Sequence, residues 1–173
     1  LGTGPIGLLH IALAKLAGAT KIYACGRPGR LEPALQMGAT EAFDLTGDAL
    51  TKQIMQRTGG RGADVVIVAV GDLGLANQAL ELAAIGGRVN FFAGFPKGSK
   101  TDMDPNIIHY NELVVTGGSN AKRADVKQAV ELLSSGRLDV HSLLTHEIPL
   151  TELDAAIDAV RQRKGLKVAI TPQ

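Results

Sequence analysis

Residues 2–7 read Gly-Thr-Gly-Pro-Ile-Gly and carry three glycines in the spacing G-x-G-x-x-G. At the junction of a buried strand and a helix, this spacing lets backbone N–H groups approach a dinucleotide pyrophosphate. The apolar residues that follow predict a helix over 5–17, with Pro5 in its first turn and an apolar stripe that includes Ile6 and Leu13. The motif alone is a weak signal, because a tight strand-to-helix turn also needs glycine for packing alone.

The end of the second predicted strand bears on which dinucleotide is bound. Residues 26–30 read Gly-Arg-Pro-Gly-Arg, and no carboxylate occurs before Glu32. NAD-binding domains usually place an acidic residue here to accept hydrogen bonds from the ribose hydroxyls. Gly26 leaves room for a 2′-phosphate, while Arg27 and Arg30 supply charge and planar donors for it. The segment therefore favours NADP over NAD, unless both arginines are ordinary solvated surface charges.

S-adenosylmethionine is the competing ligand, since its binding fold shares a glycine-rich first turn. Two features of the sequence weigh against it. No acidic residue closes the second strand, and the glycines follow the three-member dinucleotide pattern.

The elements that must position these residues alternate along the chain. Residues 64–70 are the strongest strand, a nearly continuous β-branched run typical of a parallel strand buried on both faces. The alternation predicts an α/β fold with a doubly wound parallel sheet, whereas 141–149 read as an irregular connector. The predicted strands are 21–25, 41–44, 64–70, 88–94, 112–116 and 166–171, and the helices are 5–17, 30–37, 48–58, 74–85, 122–135 and 151–163, with a helical turn at 105–110.

Composition narrows the class of protein. The chain has 173 residues, a formal net charge of +1 and only 3% aromatic residues, so nothing indicates a nucleic-acid or membrane partner. No apolar run reaches the roughly 18–20 residues that span a bilayer. One cysteine excludes an internal disulfide and favours a reducing compartment, so we expect a cytoplasmic protein.

The residues that commonly bind metals show no ligand spacing. The chain contains Cys25 and four histidines, at positions 10, 109, 141 and 146. Zinc sites use clustered Cys and His at short fixed intervals. We therefore predict no metal ligand in this chain.

A series of short motifs then suggests a family. In this order and spacing the chain resembles the cofactor-binding half of the medium-chain, zinc-dependent alcohol dehydrogenases, most closely the polyol (sorbitol) and threonine dehydrogenase branch. The motifs are G-T-G-P-I-G-L at 2–8, L-Q-M-G-A at 35–39, G-A-D-V-V at 62–66, A-V-G at 69–71, G-G-R-V at 86–89, G-F-P at 94–96, P-L at 149–150 and K-G-L-K-V at 164–168.

The resemblance implies a six-stranded Rossmann domain over residues 1–140. It implies that residues 141–173 return to an N-terminal catalytic domain, absent here, which would hold zinc and the substrate pocket. The first strand, which should be central in the sheet, is apparently truncated. Three outcomes are open: the chain recruits another segment, the flanking strands close up, or the residues before Leu1 were not recorded.

The resemblance also implies a cofactor site built from five groups of residues. Their expected partners are the pyrophosphate for Gly4, Pro5, Ile6, Gly7 and Lys167, the adenosine ribose for Gly26, Arg27 and Arg30, the cofactor's ribose groups for Val70 and Gly71, the nicotinamide carboxamide for Ala93, Gly94 and Phe95, and the nicotinamide ring for Gly118, Ser119 and Asn120. Lys167 is almost as well explained as an exposed strand lysine.

The implied activity is that of an oxidoreductase. Hydride would pass between the nicotinamide of NADP (alternatively NAD) and the carbon of a small alcohol or polyol, with zinc in the absent domain polarising the oxygen. The isolated chain is then expected to be inactive. The stretch from Thr101 to Met103 matches a strand that pairs across a two-fold axis, which implies a homo-oligomer. Two alternatives stay open: a zinc-free relative of the quinone reductase type, and a non-catalytic NADPH-binding or oligomerisation module.

Overall fold

The computed structural model describes residues 1–172 as two compact units. The first is Leu1–Ala121, and the second begins at Lys122. Within the described residues, none of the helices combines the length and apolar character needed to cross a bilayer. The predicted boundary at residue 140 concerned the return to an absent domain, and it stays a prediction.

The first unit alternates helices and strands, as its sequence pattern predicts. Glycines with positive φ, such as Gly18 and Gly38, follow helices and let the chain turn back toward the sheet. In chain order the elements are α1 Pro5–Leu16, β1 Tyr23–Cys25, a 3₁₀ turn Pro28–Arg30, α2 Leu31–Gln36, β2 Glu41–Phe43, α3 Gly47–Arg57, β3 Ala63–Val68, α4 Leu75–Glu81, β4 Ala83–Phe91, α5 Pro105–Tyr110 and β5 Val114–Gly117.

All strand pairs of this unit are parallel, but the sheet is divided. β1 pairs with β2, and β3, β4 and β5 form a three-stranded sheet in that order. Leu1 and Gly2 bridge the two parts: Gly2 N–H donates to Cys25 O at 2.8 Å, and Ala69 N–H donates to Leu1 O at 2.8 Å. The parallel pairing β1-β2 and β3-β4-β5, with Leu1 and Gly2 between the two parts, agrees with a Rossmann-type sheet.

A cavity of about 680 Å³ lies between β1 and β3. Its lining includes β1 residues Tyr23 and Ala24 and β3 residues Val65 and Val66. β1 and β3 do not pair with each other. The alternative in which the flanking strands close up is therefore wrong for this structure.

The core of the first unit lies between the three-stranded sheet and the helices α3 and α4. Val68 and Val89 of the sheet are fully buried, and they belong to one apolar cluster with Leu50 of α3 and Leu80 of α4. Burial of such side chains stabilises the fold by about 1.5–3 kcal/mol each. The ends of β3 and β4 that carry the predicted site therefore rest on a packed core.

Helix α1 buries a different face from the one predicted. The predicted stripe placed Ile6 and Leu13 inward, yet they are 42% and 38% exposed. Gly7, Leu8 and Ile11 are the buried residues. The helix is apolar around most of its circumference, so periodicity could not identify the inward face, and the close packing of Gly7 decides it.

The predicted helix at 74–85 ends early, at Glu81. Residues from Ala83 onward join β4, because Ala63 N–H donates to Leu82 O at 2.8 Å and Gly86 N–H donates to Asn111 O at 2.8 Å. These bonds link residues far apart in the sequence. The local helix propensity of Ala83, Ala84 and Ile85 cannot indicate such long-range bonds. Strand pairing therefore determines the conformation of these residues.

The second unit contains a second parallel pair. β6 pairs with β7 along its length, from Leu144 opposite Lys167 to Pro149 opposite Thr171. The prediction that 141–149 form an irregular connector is wrong for the strand part of this segment, since β7 supplies a partner. The elements are α6 Arg123–Ser134, 3₁₀ turns His141–Leu143 and Leu150–Glu152, β6 Leu144–Pro149, α7 Leu153–Arg161 and β7 Lys167–Thr171.

Candidate cofactor site

The amino end of α1 has the properties of an anion site. Gly4 is the N-cap residue with extended backbone, and no side chain caps the helix. The first turn contains no acidic residue, so nothing neutralises the positive end of this twelve-residue helix. Its first amides have no intrahelical acceptor. A phosphate group placed there would find donors and favourable charge.

Gly4, Gly7 and Gly26 differ in how much space surrounds the position of an added Cβ atom. A Cβ atom at position 7 would overlap the backbone oxygen of Gly2, and one at position 26 would overlap the side chain of Thr3. Glycine is required at both positions for packing. A Cβ atom at Gly4 would meet only Arg30 Nη1, at 3.9 Å. Packing therefore does not explain Gly4, whose outer side is open to a ligand.

Residues 26–30, which are predicted to contact the adenosine ribose, lie beside this loop. β1 ends at Cys25, and Gly26 N–H donates to Phe43 O at 3.0 Å, which fixes the backbone where the chain leaves the sheet. Arg27, which is exposed, precedes the 3₁₀ turn. Arg30 reaches back toward Gly4. The structure thus brings the predicted pyrophosphate and adenosine groups together at one edge.

The carboxyl ends of β3 and β4 meet next to the loop. A Cβ atom at Gly2 would lie 3.0 Å from Val70 Cβ, and one at Gly71 would overlap the backbone oxygen of Gly94. Ala93 N–H donates to Val68 O at 3.0 Å. This bond holds the chain that leaves β4 against the end of β3. The predicted ribose and carboxamide groups are therefore neighbours.

Two groups of predicted residues are less constrained. Ser119 and Asn120 follow β5, which is parallel to β4, so they leave the sheet at the same edge as Ala93. Asn120 has a φ of 65°, a left-handed conformation that Asn tolerates. Lys167 is exposed at the start of β7 in the second unit. Its part in the site stays a prediction.

The sequence analysis did not predict a role for Thr3. It is buried, its side chain packs on Gly26, and within residues 1–172 its hydroxyl has no hydrogen-bond partner. It joins the glycine loop of residues 2–7 to the segment that follows β1. Thr3 occupies a variable position of the glycine motif, so the motif does not predict this contact.

Cys25 and His10 lie near the loop, and both side chains are partly buried. Burial raises the pKa of the Cys25 thiol, which donates a hydrogen bond to Leu45 O at 2.8 Å. Burial lowers the pKa of His10, and the nearby Leu1 amino group adds to that effect. Its ring packs edge-on against Phe92, with ring centroids 4.5 Å apart. Both side chains thus make packing contacts within the first unit.

Zinc does not fit the described residues. Across residues 1–172, His, Cys, Asp and Glu form no group of three or more that could hold a metal ion. A structural or catalytic zinc needs at least three such ligands from the protein.

A sequence model of one family, described as zinc-binding dehydrogenase, matches residues 5–135. The chain belongs to the zinc-binding dehydrogenase family. The match includes the helix that opens at Pro5, the arginine segment and the ends of β3, β4 and β5.

Individual members of this family agree with the branch that the motifs suggested. The chain is 33% identical to L-threonine 3-dehydrogenase from Bacillus licheniformis over 174 residues, covering 99% of the chain and 50% of that protein. It is 31% identical to sorbitol dehydrogenase from Halalkalibacterium halodurans over 173 residues, again covering 99% and 50%. The predicted resemblance is confirmed, and the chain spans about half the length of these relatives.

A solved member of the family confirms the fold class. Alcohol dehydrogenase TADH from Thermus sp. ATN1 superposes with a TM-score of 0.91 at 29% identity, over 99% of this chain and 49% of that one. The parallel, doubly wound α/β architecture predicted from the alternation of elements is that of zinc-binding dehydrogenases.

Proposed function

We propose that this chain is the NAD(P)-binding half of an oxidoreductase that acts on a small alcohol or polyol. One observation carries the proposal: the uncapped amino end of α1 is open at Gly4 and faces Arg30, in a chain of the zinc-binding dehydrogenase family. When bound, the nicotinamide supplies a hydride donor or acceptor. This chain binds and orients the cofactor.

Each part of the cofactor has candidate contacts. The first turn of α1, with Gly4, Pro5, Ile6 and Gly7, holds the pyrophosphate through its amides and dipole. Val70 and Gly71 flank the ribose groups, and the backbone of Ala93, Gly94 and Phe95 holds the carboxamide. Gly94 supports this, because nothing lies within 4 Å of where its Cβ would be. Ser119, Asn120 and Lys167 complete the proposed site.

The preferred cofactor is NADP. Residues 26–30 carry two arginines and no carboxylate, and Arg27 is exposed where the chain leaves β1. A charge-assisted hydrogen bond to a 2′-phosphate contributes roughly 1.5–3 kcal/mol. One such bond would favour NADP over NAD by about 10- to 150-fold.

The complete enzyme would draw its zinc and substrate pocket from residues outside this chain. Membership of the zinc-binding dehydrogenase family favours this assignment over a zinc-free quinone reductase or a non-catalytic module. The stretch from Thr101 to Met103 forms no strand in the single chain, and its side chains are exposed. We propose that it pairs with a second copy, and that the protein is cytoplasmic.

Equilibrium binding tests this proposal directly. NADPH, NADH and S-adenosylmethionine are each titrated into the 173-residue chain, and we expect NADPH to bind most tightly. Arg27→Ala should weaken NADPH binding by about 10-fold or more, whereas Arg137→Ala, an exposed arginine outside the proposed site, should not. Stronger binding of S-adenosylmethionine, or unchanged NADPH affinity in Arg27→Ala, would contradict the proposal.

A further inference from the structure

The Thr3 side chain buries a hydroxyl group that nothing in the described chain satisfies. The residue is 4% exposed, and within residues 1–172 its Oγ1 has no hydrogen-bond partner. Buried hydroxyls in proteins are nearly always hydrogen-bonded, because an unpaired one lowers stability. Valine would fill almost the same space without this cost. A threonine at this position therefore points to a partner that arrives with a bound water or a ligand.

Thr3 lies where β1 ends and α1 begins. Gly2 N–H donates to Cys25 O at 2.8 Å, which ties the residue before Thr3 to the end of β1. Gly4, the residue after it, is the N-cap of α1 and has no side chain to cap the helix. In the proposed cofactor site, the adenosine ribose and the pyrophosphate meet at this junction. A ligand held there comes close to the Thr3 side chain.

The Thr3 side chain fills the space in which an acidic residue would begin. A Cβ atom at Gly26 would overlap Thr3 Oγ1 and would lie 2.7 Å from Thr3 Cβ. The carboxylate that binds the ribose hydroxyls in NAD sites projects from the corresponding position. A cofactor group that takes the place of this carboxylate would therefore lie within hydrogen-bond reach of the Thr3 hydroxyl.

The surroundings of this hydroxyl favour an anionic partner. Residues 26–30 contain two arginines and no carboxylate. Arg27 is exposed, and Arg30 Nη1 lies 3.9 Å from where a Cβ atom of Gly4 would be. Gly26 N–H already donates to Phe43 O at 3.0 Å, whereas the Thr3 hydroxyl has a proton to donate. A phosphate offers only acceptors, and its charge strengthens such a bond.

We propose that Thr3 is a specificity-determining residue of the cofactor site, an inference that rests on the proposed function. Its hydroxyl donates a hydrogen bond to an oxygen of the 2′-phosphate of NADP. Its side chain also excludes the carboxylate that NAD sites use. The unpaired hydroxyl lowers the stability of the unbound protein, and the bound phosphate supplies the missing acceptor. Stability and NADPH affinity therefore oppose each other at this position.

Thr3→Val tests the proposal, because it removes the hydroxyl and keeps the branched shape. We expect NADPH to bind about 10-fold more weakly, with NADH affinity nearly unchanged. The unbound variant should be more stable, with Tm raised by about 2–12 °C. Equilibrium titration and calorimetry give these readouts. A residue that only fills space would not change the affinity for one cofactor alone.

Two smaller ligands isolate the 2′-phosphate. Adenosine 2′,5′-bisphosphate and AMP differ only in that group, and both lack the nicotinamide. Thr3→Val should weaken binding of the bisphosphate by about 10-fold and leave AMP binding unchanged. Thr51→Val is the matched control on α3, outside the proposed site, where the hydroxyl donates to Gly47 O at 3.5 Å. It should leave the affinity for both ligands unchanged.

A second pair of variants covers the case in which Thr3→Val does not fold. Thr3→Ser and Thr3→Ala differ from each other only by the hydroxyl. We expect Thr3→Ser to retain the preference for the bisphosphate over AMP, and Thr3→Ala to lose about 10-fold of it. Rescue by serine but not by alanine assigns the effect to the hydroxyl rather than to the volume of the side chain.

Three results would overturn the role of Thr3. Unchanged NADPH affinity in Thr3→Val would leave a buried water as the partner of the hydroxyl. Equal losses for the bisphosphate and AMP would make Thr3 a packing residue, and equal preferences in Thr3→Ser and Thr3→Ala would exclude the hydroxyl. If the unsubstituted chain binds neither NADPH nor the bisphosphate, the proposed function itself is contradicted. That result is distinct from binding that does not depend on Thr3.

Discussion

Gly4 and Gly7 belong to the same motif, but they respond to different constraints. A Cβ atom at Gly7 would overlap backbone, whereas one at Gly4 would make a single ordinary contact, with Arg30 at 3.9 Å. The sequence pattern cannot separate a glycine kept for packing from one kept for a ligand. The structure separates them, and the difference can be measured.

We expect Gly4→Ala to fold as stably as the unsubstituted protein and to bind NADPH at least about 10-fold more weakly. The added methyl group occupies the open side of the loop, where a pyrophosphate must approach the α1 amides, and crowding of this kind costs about 1–3 kcal/mol. Thermal unfolding and NADPH titration provide the two readouts. Gly29→Ala is the control, since nothing lies within 4 Å of its added Cβ. Unchanged NADPH affinity in Gly4→Ala would show that the loop is not the pyrophosphate site.

Cofactor preference can be reversed at Gly26 only if Thr3 changes as well. Gly26→Asp alone would force its Cβ into the Thr3 side chain, and we expect a loss of about 1–3 kcal/mol of stability. The double variant Thr3→Gly, Gly26→Asp removes the collision and supplies a ribose-binding carboxylate. It should favour NADH by about 10-fold.

The control for this experiment is Thr3→Gly alone, which should still prefer NADPH because residues 26–30 keep both arginines. Dissociation constants for NADH and NADPH are measured for all three variants. A double variant that is stable yet still prefers NADPH would show that the residue after β1 does not contact the ribose.

At the scale of elements, the turn between Leu1 and α1 depends on Gly7. We predict that Gly7→Ala lowers Tm by about 2–12 °C, since overpacking costs about 1–3 kcal/mol and the backbone oxygen of Gly2 cannot yield as a side chain would. Calorimetry on Gly7→Ala and on Gly29→Ala gives the comparison. An unchanged Tm would mean that the loop relaxes at little cost.

Local sequence predicts the elements of this fold where their signal is local. The β-branched run of β3 and the glycine-bounded helix α3 were predicted within one or two residues of their observed bounds. β6 and the start of β4 were missed, because partners far away in the chain, β7 and Asn111, determine their conformation. The same limit applies to the site: the motif identified the loop, but only tertiary packing shows that Thr3 joins it to Gly26.

At the scale of the whole molecule, stability should depend on pH through His10. Burial lowers the pKa of His10 in the folded protein, while the unfolded chain titrates near 6.5. Below about pH 6.5 the unfolded state takes up the proton first, so the free energy of unfolding decreases as the pH falls. His10→Phe should keep the ring packing on Phe92 and flatten this dependence.

Urea unfolding at pH 5, 6, 7 and 8 measures the slope for His10→Phe and for His109→Phe, whose ring is exposed on α5. The Leu1 amino group, whose pKa burial also lowers, is present in both variants. We expect a reduced slope only in His10→Phe. Equal slopes would assign the acid sensitivity to other groups.

We infer that this chain binds a nicotinamide dinucleotide at the amino end of α1 and prefers the one with a 2′-phosphate. The most direct measurement is the ratio of the NADH and NADPH dissociation constants for the unsubstituted 173-residue chain, at one pH and one salt concentration. We predict a ratio of about 10 or more, from at least one arginine contact to the phosphate. A ratio of 1 or below would contradict the assignment of Gly26, Arg27 and Arg30 to the ribose phosphate.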